Sequence, residues 1–136
     1  MLNFNFSLPT KLFFGKDSIK DMGSEILKYS DRVLLVYGGG SIKKNGIYDK
    51  TVEILKSNNI FYKELSGVHS NPRVESVKEG IKLVRENNLE FILAVGGGSV
   101  NDCGKGIAAG VYYEGDVWDL YQRKAEFNKA VPLGAV

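Results

Sequence analysis

Histidine and cysteine are almost missing from this chain: His69 and Cys103 each stand alone. A single cysteine excludes an internal disulfide, so a reducing, cytoplasmic setting is expected. A single histidine cannot supply the several imidazoles of a transition-metal centre. Long apolar runs are absent too. No stretch approaches the ~18 residues of a membrane span, and no basic-then-apolar leader pattern opens the chain. Charge of one sign is scarce: the net charge is +2 and the lysines are scattered, which argues against nucleic acid as a partner. Neither a linker nor a low-complexity segment interrupts the 136 residues. That length suits one domain burying about two thirds of its extended-chain surface.

What the chain does have is glycine, concentrated in a loop that occurs twice. Arg32-Val33-Leu34-Leu35-Val36-Tyr37 runs into Gly38-Gly39-Gly40-Ser41, and Phe91-Ile92-Leu93-Ala94-Val95 runs into Gly96-Gly97-Gly98-Ser99. A continuous apolar run reads as a buried parallel strand, and a helix is expected to follow it. Glycine at that junction turns backbone N–H groups toward a ligand with no Cβ in the way, and the positive helix end favours phosphate. Two such loops point to a ligand with more than one phosphate-like group.

The rest of the chain alternates strand and helix signals. Residues 3–14 read as a hairpin, Asn3-Phe4-Asn5-Phe6 against Lys11-Leu12-Phe13-Phe14 around a Ser7-Leu8-Pro9-Thr10 turn. Helical spacing follows at Ile19, Met22, Ile26 and Leu27, and again at Tyr48, Val52 and Leu55. Ile60 to Leu65 alternates as a second strand. Asn71-Pro72 predicts a helix start, with Val74, Val77, Ile81 and Val84 as its buried stripe. The helix after the second glycine loop is expected over 99–113, with Val100, Cys103, Ile107 and Val111 facing a sheet. Its interior Gly104, Gly106 and Gly110 each cost roughly 0.5–1 kcal/mol relative to alanine, which is tolerable where the helix lies very close to another backbone or a ligand. Asp116 to Tyr121 reads as a helical turn, and Val131-Pro132-Leu133-Gly134-Ala135-Val136 as the start of another buried strand. The expected fold is α/β: a Rossmann-like, mainly parallel sheet flanked by helices, with an antiparallel hairpin at the N-terminus.

Most other chemically suggestive residues have plainer explanations. His69 sits in a turn before Asn71-Pro72 and reads as an exposed loop residue. Cys103 belongs to the apolar stripe of its helix. Asp116 and Asp119 read as turn and capping residues, and Tyr112, Tyr113, Trp118 and Tyr121 as a packing cluster. The usual dinucleotide fingerprint, glycine at the first, third and sixth positions, fails at both glycine loops. The sixth residue is Asn101 in one and Lys43 in the other. The second loop nevertheless has company, since Asp102 and Lys105 follow it on one helix face.

The run Gly96-Gly97-Gly98-Ser99-Val100-Asn101-Asp102-Cys103-Gly104-Lys105 resembles the signature of the iron-containing (group III) alcohol dehydrogenases. Their wider superfamily includes glycerol dehydrogenase and dehydroquinate synthase. Phe14-Gly15-Lys16, Asn71-Pro72 and Val131-Pro132-Leu133-Gly134 agree with it. Tyr37 to Gly46 and Asp116-Val117-Trp118-Asp119 are similar to the butanol dehydrogenase subgroup. The resemblance covers essentially the whole chain. It implies a dehydroquinate synthase-like N-terminal domain spanning 1–136 and binding NADP(H). The parent enzyme would be a metal-dependent, homodimeric oxidoreductase exchanging hydride with a primary alcohol or aldehyde.

The resemblance also implies residue roles. Gly97, Gly98 and Ser99, with Gly96, would approach the cofactor pyrophosphate, Asp102 would stand at the cleft, and Asn71 near the adenosine half. Gly38, Gly39, Gly40 and Ser41 match the position that chooses between NAD and NADP. NAD-preferring relatives carry an aspartate there, which bonds the ribose 2′-hydroxyl and repels a 2′-phosphate. Gly38, followed by Ser41, Lys43 and Lys44, favours NADP. Family members bind Fe2+ or Zn2+ with one aspartate and three histidines on a C-terminal helical domain, and nothing in this chain corresponds to it. The chain is therefore expected to hold cofactor without transferring hydride by itself. A stand-alone nucleotide-binding module and a sugar-phosphate enzyme on the same fold remain alternatives.

Overall fold

Two strands, β1 (Arg32–Tyr37) and β3 (Phe91–Val95), are buried along nearly their whole length in the computed structural model, which describes residues 2–70 and 73–136. They are the central pair of a four-stranded sheet. Strand β2 (Phe61–Leu65) lies beyond β1, and β4 (Leu133–Ala135) beyond β3, giving the order β2-β1-β3-β4. Every pairing is parallel. In register, Val33 stands beside Phe91 and Tyr37 beside Val95.

Because side chains alternate across a strand, each apolar run feeds two cores. Leu34, Val36, Ile92 and Ala94 face α4 (Val74–Asn87) and α5 (Gly98–Gly110), where Val77, Val84, Cys103 and Ile107 complete one cluster. Val33, Leu35, Tyr37, Leu93 and Val95 face the other way, against Ile26 of α1 (Met22–Leu27) and Leu55 of α3 (Ile47–Ser57). A 3-10 turn at Ser18–Asp21 leads into α1, and the short helices α2 (Ser41–Lys44) and α6 (Trp118–Tyr121) fill two connections. No helix among the described residues is long and apolar enough to cross a membrane.

The elements expected from periodicity form, and the short closing strand forms as β4. The expected helix start at Asn71-Pro72 lies outside the described residues; Arg73, just before α4, is extended. One expectation fails. Residues 3–14 make no hairpin: no strand occurs there, and Leu2, Phe4, Phe6, Leu12 and Phe14 are exposed. Alternation predicts a half-buried strand only when an apolar surface is there to cover one face. Here Pro9 to Phe13 instead line an apolar cleft of about 480 Å³ beside β4, shared with Met22, Ile26 and Phe91. The sheet is consequently all-parallel among the described residues, not mainly parallel with an antiparallel addition.

Candidate functional site

From β1 the chain moves outward to β2, then crosses back over the sheet to β3 on the other side of β1. The carboxyl ends of β1 and β3 therefore flank a topological switch point, the crevice where open α/β sheets bind ligands. Both glycine loops emerge there. They also share one packing partner. A Cβ on Gly38 would lie 3.7 Å from Cγ2 of Val100 in α5, and a Cβ on Gly96 would lie 3.0 Å from the same atom. Loops 58 residues apart in sequence are thus neighbours in space, a fact the linear spacing does not contain.

The second loop is shaped by glycine at one position above all. Gly96 has φ +147, a backbone conformation that L side chains rarely adopt. Its N–H donates to the Val136 carbonyl at 2.9 Å, which ties the loop to β4. Helix α5 then begins at Gly98 without any side-chain cap. The first-turn amides of Gly98 and Ser99 have no intrahelical acceptor, and the helix dipole adds positive potential there. Added Cβ atoms at Gly97 and Gly98 would meet nothing within 4 Å. The open space in front of these amides is room for a ligand.

Ser99 has a second task. Its hydroxyl donates to the Ser70 carbonyl at 2.5 Å, so the loop after β2 is latched to the start of α5. The single hydroxyl proton is therefore committed, and the free donor at this residue is its backbone N–H. Asp102 lies one turn further along α5, exposed, with Lys105 Nζ 3.7 Å from its carboxylate. Asn71, expected near the same crevice, lies outside the described residues.

The first loop is held from the side. Gly67 N–H donates to the Gly38 carbonyl at 3.0 Å, and a Cβ on Gly38 would lie 3.2 Å from the Val68 carbonyl oxygen. Gly39 and Gly40 are open, with nothing within 4 Å of an added Cβ. Ser41 is exposed at the start of α2.

Beside this loop stands a group that linear reading missed. Tyr37 hydroxyl donates to Glu64 Oε2 at 3.1 Å, and Tyr48 hydroxyl donates to Oε1 at 2.6 Å. The two rings meet edge-on with centroids 5.4 Å apart. Lys43 Nζ lies 4.7 Å from the Tyr48 ring centroid and 5.4 Å from that of Tyr37. The bond to Glu64 pushes the Tyr48 phenol well above the ordinary tyrosine range. No motif announces these residues. The available signal was the tyrosine ending β1 and the acid of β2 that stands opposite Leu35, two residues before Tyr37 on the same face, visible only once the strands are known to pair.

The residues given plainer readings behave accordingly. Cys103 is fully buried, and burial pushes its thiol up to about 11, so it is a protonated core residue at neutral pH. His69 is exposed. Asp116 accepts from the Trp118 N–H at 2.9 Å and pairs with Lys78 at 3.0 Å, while Asp119 accepts from Tyr113. The expected aromatic cluster forms only in part: among the described residues Trp118 and Tyr121 pack together with centroids 5.9 Å apart, while Tyr112 lies under Lys129 instead and Tyr113 bonds Asp119. Among the described residues, no group of three or more His, Cys, Asp or Glu could hold a metal ion.

The sequence pattern of the iron-containing alcohol dehydrogenase family matches residues 9–136. The chain is 57% identical, over its full length, to NADH-dependent butanol dehydrogenase A of Clostridium acetobutylicum, of which it spans 35%. It is 41% identical to the NADPH-dependent aldehyde reductase YqhD of Escherichia coli and again spans 35% of that protein. In three dimensions it superposes on NADH-dependent butanol dehydrogenase A of Thermotoga maritima with a TM-score of 0.93 and 45% identity. That match covers 98% of this chain and 34% of the other.

Proposed function

The chain belongs to the iron-containing alcohol dehydrogenase family, and on that premise we propose that residues 1–136 form the dinucleotide-binding domain of an NADP(H)-linked oxidoreductase acting on primary alcohols and aldehydes. The observation that carries the reading is the convergence of both glycine loops on the switch point between β1 and β3. The residues fit a dinucleotide. Backbone amides at Gly97, Gly98 and Ser99 would donate to the pyrophosphate oxygens, with the α5 dipole behind them. The Ser99–Ser70 bond would hold the neighbouring loop in place. Asp102, balanced by Lys105, would stand at the cleft wall, with Asn71 toward the adenosine end. Gly38, Gly39, Gly40 and Ser41 would accept the adenosine ribose, with no acidic side chain in the loop to repel a 2′-phosphate. The bound nicotinamide supplies the hydride acceptor or donor for alcohol–aldehyde interconversion.

The metal implied by the family does not fit this chain's own residues. Its one histidine is exposed and no ligand cluster exists among the described residues. We assign Fe2+ or Zn2+, the helical domain that would bind it, the alcohol substrate and homodimer formation to the longer enzyme, expected in the cytoplasm. The chain spans about a third of its relatives' length, so these remain proposals about a whole protein.

NADH is the competing cofactor, favoured by the names of relatives such as the 57%-identical butanol dehydrogenase. Calorimetric titration of the folded chain with NADPH and NADH decides between them. NADPH is expected to bind more tightly; tighter NADH binding overturns the assignment to NADP. Gly98→Ala tests the pyrophosphate cradle. An alanine Cβ there meets no protein atom, and alanine is the better helix former by about 1 kcal/mol, so the melting temperature should hold or rise. Dinucleotide affinity should fall at least about tenfold as the methyl crowds the phosphate. Unchanged affinity would remove this loop from the site.

A further inference from the structure

Of the asparagines in this chain, only Asn45 is followed by glycine. The pair forms the turn between α2 and α3, with Gly46 at φ +80 and both residues exposed. The groups that could react with each other are left unengaged there. The Gly46 N–H makes no hydrogen bond among the described residues, although the N–H groups of Asn45 and Ile47 on either side both do. Asn45 uses only its Oδ1, which accepts from the Ile47 N–H at 3.1 Å, so its Nδ2 group has no acceptor among those residues. A Cβ added to Gly46 would meet nothing within 4 Å, so the turn is open to solvent on that side.

Asparagines in the other turns are built differently. After Asn58, Asn59, Asn87 and Asn88 the next backbone N–H is committed: Asn59 donates to Lys56, Ile60 to Leu55, and both Asn88 and Leu89 to Val84. Asn58 and Asn87 also tie their own Nδ2 groups, to the carbonyls of Ile54 and Leu83. Exposed Asn3, Asn5 and Asn128 precede Phe4, Phe6 and Lys129, whose side chains crowd the following nitrogen as glycine does not.

We propose that Asn45 is a site of spontaneous covalent modification in the folded chain, with water as the co-reactant. The Gly46 amide loses its proton to hydroxide and its nitrogen bonds to Asn45 Cγ; the Cγ–Nδ2 bond breaks and ammonia leaves. Water then opens the five-membered succinimide. Attack at Cγ gives aspartate, and attack at the main-chain carbonyl gives isoaspartate, with the chain running through Cβ and Cγ. Closing the ring requires the peptide after Asn45, at ψ 2, to rotate. An exposed glycine turn whose N–H breaks no bond rotates at little free-energy cost. Either product replaces a neutral amide by a carboxylate. Aspartate keeps the acceptor for the Ile47 N–H and adds negative charge at the start of α3, where the helix dipole favours it. Isoaspartate lengthens the main chain by one methylene between α2 and α3 and pulls that acceptor out of place. The proposal is independent of the dinucleotide site.

The full chain is aged in warm, mildly alkaline buffer, folded and in urea, and its peptides are followed by mass spectrometry. In the folded sample the peptide containing Asn45 should gain about 1 Da before any other asparagine peptide does. Its rate should stay within about tenfold of the rate in urea, because an exposed turn opens locally with ease. Methyl transfer from S-adenosylmethionine by an isoaspartate-specific methyltransferase should rise in parallel. That signal should be largely lost in Asn45→Gln, whose longer side chain closes a six-membered ring slowly. Asn45→Asp should melt close to fresh wild type, and the isoaspartyl form, separated by ion exchange, should melt lower. An Asn45 that stays intact in the folded chain while reacting in urea overturns the proposal. So does earlier reaction at any other asparagine, or undiminished methyl transfer in Asn45→Gln. Equal melting of the aspartyl and isoaspartyl forms overturns the structural cost assigned to the longer main chain.

Discussion

Burial of Cys103 makes its protonation a reporter of folding. The thiol has no exposed surface, and desolvation pushes its pKa up to about 11, above the ~8.5 of a free thiol. A group whose folded pKa is raised contributes stability that is fully present below its unfolded pKa. That contribution is lost as pH rises through the folded value, because the unfolded chain releases its proton first. Stability should therefore decline between about pH 8.5 and 11, and the decline should be shallower in Cys103→Ala, measured by urea melts at paired pH values. Folded protein should also resist a thiol reagent that labels Cys103 promptly in denaturant. Gly38 offers a second residue-scale test. Gly38→Asp should move cofactor preference toward NADH at least about tenfold, read as a ratio of titrated affinities. Its Cβ would approach the Val68 carbonyl to 3.2 Å, so a small drop in melting temperature should accompany the switch.

Within α5, glycine serves two purposes at its two ends. At Gly98, in the first turn, the missing side chain leaves space for a ligand. At Gly104 it lets the helix approach the sheet: an added Cβ would lie 3.1 Å from Leu133 Cδ1 and 3.3 Å from Ala94 Cβ. At Gly110 the close neighbours are instead Ile81 of α4 and Val117, just before α6. The propensity cost of interior glycine is thus offset by closer packing on β3 and β4. Gly104→Val should destabilise the fold by about 1–3 kcal/mol through overpacking, whereas Gly98→Ala should not, as urea denaturation midpoints will show. Along β1, Leu34→Ala should cost about 2–5 kcal/mol by the same measurement, since Leu34 is fully buried between the central strands and α4 and α5. Strand β2 reads differently because it is an edge: of its five residues only Leu65 is buried.

Taken as a whole, the molecule carries an uneven surface. Phe4, Phe6 and Phe14 are 85%, 79% and 95% exposed, gathered in one N-terminal segment beside the apolar cleft along β4. With a net charge of only +2, long-range repulsion gives little protection against apolar association. Sedimentation velocity over a concentration series should reveal self-association, and Phe4→Ser with Phe6→Ser should weaken it. A chain that stays monomeric throughout would show that this segment is not sticky on its own.

What the sequence by itself determined is local. Strand runs such as Leu34 to Tyr37, the helix stripe of Val77, Ile81 and Val84, both glycine loops, and the burial of Cys103 were legible because periodicity and turn chemistry act within a few residues. The motif around Gly96 and Asp102 was legible for the same reason. Tertiary structure alone decided the strand order that brings Gly38 and Gly96 to one residue, Val100, and thereby makes a single crevice of two loops. It also decided that Glu64 meets Tyr37 and Tyr48, and that the alternating segment 3–14 pairs with nothing as a hairpin. Those outcomes depend on which apolar faces remain to be covered once the whole sheet has assembled. That is a property of distant parts of the chain competing for one core, and no short window of sequence contains it.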